Sequence, residues 1–140
     1  MTTSENGLAL IRSSEGFSAH VYDDNGKPCI GYGHDLRPGE SFPQGINVNQ
    51  AAILLQQDLQ ERFEPTLNEW LLAHQVVPTQ NQYDALMDFC YNLGPQSLLT
   101  MLGHGWDQVA QQIPRWNHSN GQVVAGLTAR REKEVELFNS

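Results

Sequence analysis

Basic residues and cysteines are both scarce in this chain. Eight lysines and arginines stand against sixteen acids, a formal charge of −8 at pH 7. An acidic chain cannot neutralise a phosphate backbone, so the balance argues against a nucleic-acid partner. Two cysteines, Cys29 and Cys90, are too few and too isolated for a disulfide framework and lack the paired spacing of a zinc site; both read as reduced thiols. His20, His74, His104 and His118 are scattered, and no HExxH-like pair occurs, so a metal site is not expected. No apolar run approaches the ~18 to 20 residues that a membrane-spanning helix needs. The opening MTTSENGLAL has neither a basic start nor an apolar stretch of signal-peptide length. The expectation is synthesis in a cytoplasm, with no export signal.

What remains is an ordinary globular composition, 39% hydrophobic and 17% charged over 140 residues, enough for one domain and too little for two independent cores. The acidity is local: between Arg37 and Arg115 the only base is Arg62, among Glu40, Asp58, Glu61, Glu64, Glu69, Asp84, Asp88 and Asp107. The plain reading is a solvated acidic face.

Residues 3–15 carry Leu8, Ile11 and Arg12 at helical spacing after the cap Ser4, and the run ends at Gly16, so the helix finishes on Glu15. From Phe17 to His34 the pattern becomes strand-like around the turn Asp24-Asn25-Gly26, with Pro28 suggesting an edge position. Pro38, Gly39, Pro43 and Gly45 mark an irregular link. Helical segments follow at 47–61, opened by Asn47 and Gln50 in capping-box spacing, and near 66–74. Thr79 and Gln82 repeat the box before Tyr83, Leu86, Met87, Phe89, Cys90 and Leu93, the strongest core helix, stopped by Gly94-Pro95. Two more segments lie near 106–113 and 128–137. Trp70, Trp106 and Trp116 read as core. The expected fold is mostly helical α+β, one domain over residues 1–140, with a small sheet at about 17–34 and a helical lobe at about 47–140.

Glu15 stands out on chemical grounds. It ends an amphipathic helix, where the helix dipole disfavours negative charge, and Gly16 and Phe17 follow it. A carboxyl held protonated in this way suits the general acid of glycoside hydrolysis, and Asp24, on a hydrated turn, would stay ionised as its partner.

The segment EGFSAHVYDDNGKPCIGYGH, residues 15–34, resembles the signature of the phage-type lysozymes, a glycoside hydrolase family that includes the phage endolysins. The family has a Glu, eight residues, an Asp (sometimes Cys), five residues, a Thr, then a Gly-aromatic-Gly-His run. Here eight residues separate Glu15 from Asp24, and Gly31-Tyr32-Gly33-His34 supplies the run. The segments GINVNQAAILLQQDL, QNQYDALMDFCYNLG and RWNHSNGQVVAGLTARREKEVELF extend the similarity in the same order over nearly the whole chain. Two departures stand beside it: Cys29 occupies the Thr position, and only four residues separate it from Asp24. Taking Asp23 as the second carboxylate restores five residues there but leaves seven after Glu15; Asp24 is preferred, because Tyr22 then takes the place of the family aromatic.

The resemblance implies a lysozyme-like fold and an N-acetylmuramidase acting on the β-1,4 bond between N-acetylmuramic acid and N-acetylglucosamine. Glu15 would be the acid, Asp24 would position or deprotonate water, and Cys29 would stand where the Thr helps hold that water. His34 is expected to hold the sheet to its neighbour, and Arg130 or Arg131, at the start of the last helix, to lie near Glu15. No metal or organic cofactor is implied. Peptidoglycan would be the substrate, the chain a monomer, and a separate holin-like membrane protein would release it to the periplasm. Two rivals remain: a lytic transglycosylase, which needs the acid but no carboxylate-activated water, and a non-catalytic wall-binding or virion structural module. A nucleophilic Cys29 is disfavoured, since it lies in a strand-like run rather than at an electropositive helix start.

Overall fold

The computed structural model describes all 140 residues. Helix α1 (Glu5–Glu15) begins where the Ser4 side chain accepts from the Gly7 amide and ends where Gly16 takes φ 72°. A side chain would resist that conformation, so the helix stops on Glu15. Three antiparallel strands follow in the order β1-β2-β3: β1 (Ser18–Asp24), β2 (Lys27–Gly31) and β3 (His34–Asp35). Asn25 and Gly26, both at positive φ, form the two-residue turn from β1 to β2.

Pro28 departs from its expected edge position, because β2 is the central strand. The proline is tolerated there because β3 ends early. Beyond Asp35 the Leu36 amide still donates to the Pro28 carbonyl at 2.9 Å, but β3 has ended there, so the N–H that proline lacks costs at most one bond at the end of the ladder.

Helix α2 (Val48–Asp58) opens with the Asn47/Gln50 capping box. It runs through one wide turn, Leu59–Phe63, directly into α3 (Glu64–Ala73), so the two segments read from sequence are a single interrupted helix. Pro65 explains the wide turn. A proline ring clashes with the carbonyl four residues earlier in a regular helix, and a π turn, such as the one in which the Glu64 amide bonds to Leu59, opens that space.

Helix α4 (Gln80–Leu93) carries the Thr79/Gln82 capping box and is the axis of the core. Tyr83, Leu86, Met87, Phe89 and Cys90 are wholly buried, within one contiguous cluster that also takes Ile11, Leu55, Leu67, Leu98, Ile113 and Phe138. Burial of each large side chain contributes about 1.5–3 kcal/mol. The three tryptophans pack partly buried against this cluster.

Three features were not read from the sequence as they stand. Gly94-Pro95 ends α4 but also starts α5 (Pro95–Leu102), since proline at the first helical position costs no hydrogen bond. The 106–113 segment is broken into 3₁₀ turns at Trp106–Gln108 and Ile113–Arg115 around a single turn, α6 (Val109–Gln112). A hairpin of β4 (His118–Ser119) and β5 (Gln122–Val123) turns on Asn120-Gly121 before α7 (Ala125–Phe138). Helix α7 therefore starts a turn earlier than expected, and Arg130 and Arg131 lie in its second turn.

The acidic stretch is only partly a solvated face: Asp58, Glu64, Asp84 and Asp88 are all buried. Each has a partner. Glu64 accepts from the Thr3 amide at 2.7 Å and hydroxyl at 2.8 Å. Asp84 accepts from the amide and hydroxyl of Ser4 and from Gln80. These bonds strap the N-terminus, and with it α1, onto the helical lobe. Gly7 lets α1 approach: a Cβ there would lie 2.7 Å from the Asp84 carboxyl carbon.

Candidate active site

The end of α1, one face of the sheet and the junction of α2 and α3 enclose a cleft of about 230 Å³. Glu15 comes from α1, Tyr22 and Asp24 from β1, Lys27 from β2, Asp35 from β3, and Asp58 and Arg62 from the helix junction. Strand alternation explains the sheet's contribution. Tyr22 and Asp24 are two residues apart and share a face, while Asp23 points the other way and accepts from the Gly26 amide at 3.2 Å, closing the turn. The structure therefore brings Asp24 to the cleft with Glu15 and leaves Asp23 outside it.

Glu15 is largely enclosed. Its Oε2 accepts from Arg130 Nη1 at 2.6 Å, and Arg130 turns its other edge to Asp88 in a two-point pair at 2.9 and 3.0 Å. Burial raises the Glu15 carboxyl above the ordinary glutamate range; the Arg130 charge and hydrogen bond pull it down, and the charges of Asp88 and Asp24 push it up again. The net direction is upward. Gly33 makes room for this carboxyl: at φ 85°, a Cβ on it would stand 3.0 Å from Glu15 Oε1 and 3.4 Å from the Tyr91 hydroxyl. Tyr91 in turn donates to the Tyr32 carbonyl at 2.6 Å, tying α4 to the loop that carries Gly33.

The other expected residues divide. His34 lies buried behind the cleft, Nδ1 on Asp58 at 2.6 Å and Nε2 on Glu40 at 2.8 Å, so it joins β3 to α2. Its pKa is raised, chiefly by the hydrogen bond to Asp58, against the opposing effect of burial. Arg131 does not reach Glu15. It is buried over the Phe89 ring and bonds Glu134, Asn92 and the Trp116 carbonyl. Cys29 is 1% exposed and lies outside the residues lining the cleft. Its thiol donates to Asp35 Oδ1 at 3.1 Å, and burial first, then that bond, pushes its pKa up to about 12. A thiol so held stays protonated, the opposite of what nucleophilic chemistry needs.

Sequence reasoning passed over Asp88, Asp35 and Tyr91. Asp88 left one usable signal, an acid between Met87 and Phe89 on the strongest core helix; a buried charge there demands a buried cation. Asp35 and Tyr91 left none, because only the fold brings them to the cleft.

The model of the Phage lysozyme family matches residues 12–134. The chain belongs to the phage lysozyme family. Among its relatives, the endolysin of Bacillus phage PZA is 40% identical, the match covering 100% of this chain and 56% of that protein. The endolysin of Salmonella phage P22 is 34% identical, with 100% and 99% covered. The chain spans only 54–61% of the length of its Bacillus and Lactococcus phage relatives. In structure, the muramidase domain of SpmX from Asticaccaulis excentricus superposes with TM-score 0.79 at 31% identity, covering 99% of this chain and 98% of that one. A P22 lysozyme variant gives 0.80 at 26% identity, with 100% and 99% covered. The lysozyme-like α+β fold follows from these matches together with the element order.

Proposed function

We propose that this phage lysozyme family member is an endolysin-type N-acetylmuramidase that hydrolyses the β-1,4 bond between N-acetylmuramic acid and N-acetylglucosamine in peptidoglycan. The observation that carries the reading is the pairing in one cleft of an enclosed carboxyl with a raised pKa, Glu15, and an exposed carboxylate at the end of β1, Asp24. Glu15 gives its proton to the glycosidic oxygen as the bond to the anomeric carbon breaks. Asp24 takes a proton from the water that attacks that carbon. Arg130 holds Glu15 in place and, through Asp88, is itself held to α4. His34 fastens β3 to α2 behind the cleft wall, and Cys29, covered on the cleft side of the sheet, donates to Asp35. The endolysin and muramidase names of the relatives support the same substrate.

The same reading makes the protein a monomer, synthesised in a host cytoplasm, released by a separate holin-like membrane protein and active on the wall from the periplasm. No helix of the chain is long and apolar enough to cross a membrane.

The test is lysis of permeabilised Gram-negative cells by purified variants. Glu15→Gln keeps the shape and cannot donate the proton, so lysis should vanish while circular dichroism is unchanged. Asp24→Asn should be severely impaired and Asp23→Asn only mildly. Undiminished lysis by Glu15→Gln would overturn the enzymatic reading, and 1,6-anhydro ends among the products would point to a transglycosylase instead.

A further inference from the structure

The register of the small sheet sets three side chains in a row. Tyr22 on β1 lies opposite Cys29 on β2, and Cys29 lies opposite Asp35 on β3. Directly opposed residues share a face, so this row stands on the cleft side with Asp24 and Lys27, which pair with each other two residues along. Cys29, in the middle strand, is covered; the outer member, Asp35, reaches the cleft wall that Glu15 and Asp24 also line.

Two features of Asp35 bear on chemistry. Its Oδ1 accepts from the buried Cys29 thiol at 3.1 Å, a closer partner than the Lys27 carbonyl at 3.7 Å. It also forms no ion pair, for the nearby Arg62 turns to Asp58 and approaches only the Asp35 backbone carbonyl, at 3.5 Å. One oxygen is thus fixed by the protein, and the other has no protein donor. A carboxylate in that state on a cleft wall is an acceptor waiting for a water or a sugar hydroxyl.

We propose that Asp35 is a further catalytic residue, which together with Asp24 accepts hydrogen bonds from the attacking water, and that Cys29 is the positioning residue that holds Asp35 in place. This rests on the muramidase reading. A water that donates to two carboxylates has both hydrogens directed and a lone pair left to aim at the anomeric carbon. As that lone pair forms the new C–O bond, one water proton passes to Asp24. The glycosidic C–O bond breaks towards the leaving oxygen, which takes the Glu15 proton. Asp35 keeps its charge and its hydrogen bond throughout, and solvent returns a proton from Asp24 to Glu15. Cys29 therefore acts through Asp35 rather than on the water. Its thiol is a donor at every working pH, as burial ensures.

The test measures kcat and KM on soluble peptidoglycan chains for wild type, Asp35→Asn, Cys29→Ala, Cys29→Thr and the double variant Asp35→Asn/Cys29→Ala. Glu15→Gln serves as the inactive reference. Loss of a hydrogen bond to a charged group predicts that Asp35→Asn lowers kcat about tenfold or more, with KM moved by less than about threefold. Cys29→Ala should lower kcat in the wild-type background and change it by less than about twofold in the Asp35→Asn background, because the two act in series. Cys29→Thr, whose hydroxyl can donate to Asp35, should recover most of what Cys29→Ala loses. A kcat for Asp35→Asn within about twofold of wild type, or a Cys29→Ala loss as large in the Asp35→Asn background as in the wild type, overturns the inference while the muramidase reading stands. A wild type no more active than Glu15→Gln overturns both.

Discussion

At the scale of single residues, the Glu15 carboxyl is set by opposing contributions that substitution can separate. Burial favours the protonated acid, and Arg130, at 2.6 Å, favours the carboxylate. A general acid works only while protonated, so the alkaline limb of the activity profile follows the Glu15 pKa. Arg130→Gln removes the contribution that lowers it and leaves Asp88 uncompensated nearby, a second push in the same direction. The limb should therefore move to higher pH, read from initial lysis rates at constant ionic strength. A limb displaced to lower pH would contradict this account of the site. The same variant breaks a buried charge pair and should cost about 3–5 kcal/mol in denaturant unfolding, so the profile is measured below its melting range.

At the scale of elements, the cleft depends on how the sheet is fastened to the helices, and His34 is the fastener. Its two ring nitrogens join β3 to Asp58 on α2 and to Glu40 in the link between them. The pKa of His34 is raised in the folded state, so its protonated form is the one folding favours. The stabilisation is accordingly complete below the unfolded value of about 6.5 and is lost as pH rises through the higher folded value. Thermal midpoints should fall as pH is raised from about 6.5 towards 8.5. In His34→Asn that slope should become shallower, the raised Glu15 and Glu134 carboxyls leaving a remainder of the same sign, with the midpoint already lowered at pH 6. An equal slope in the variant would place the pH dependence elsewhere.

At the scale of the whole molecule, the net charge of −8 has a local expression. The cleft holds Glu15, Asp24, Asp35 and Asp58 against Lys27 and Arg62. Peptidoglycan carries carboxylates of its own, so the approach of substrate is repelled rather than steered. Salt screens such repulsion over about 10 Å at 0.1 M. Lysis rates should rise as salt goes from about 10 to about 100 mM, where a basic enzyme would slow down. A steady fall over that range would show that the acidic wall does not govern encounter.

Much of this was legible in the sequence because it is local. The caps Ser4, Asn47 and Thr79, the stop at Gly16, the Asn25-Gly26 turn and the apolar face of α4 each act through neighbours a few residues away, and each is found where its signal stands. The same locality brought out Glu15 as a helix-terminal carboxyl and Asp24 as a turn carboxylate. What depended on long-range contact could not be read in this way. The single helix from Val48 to Ala73 hid behind Pro65, and the choice between Arg130 and Arg131 required the rotation of α7 on α4. Four acids that looked like surface are buried, because the partners that allow burial lie from 24 to 80 residues away. Cys29 shows the division most sharply. Its departure from the family threonine is visible in the sequence, but its contact with Asp35 exists only because two antiparallel turns bring β1, β2 and β3 into one register. A hydrogen bond of 3.1 Å between residues on neighbouring strands is a property of that register, which only the packed sheet decides.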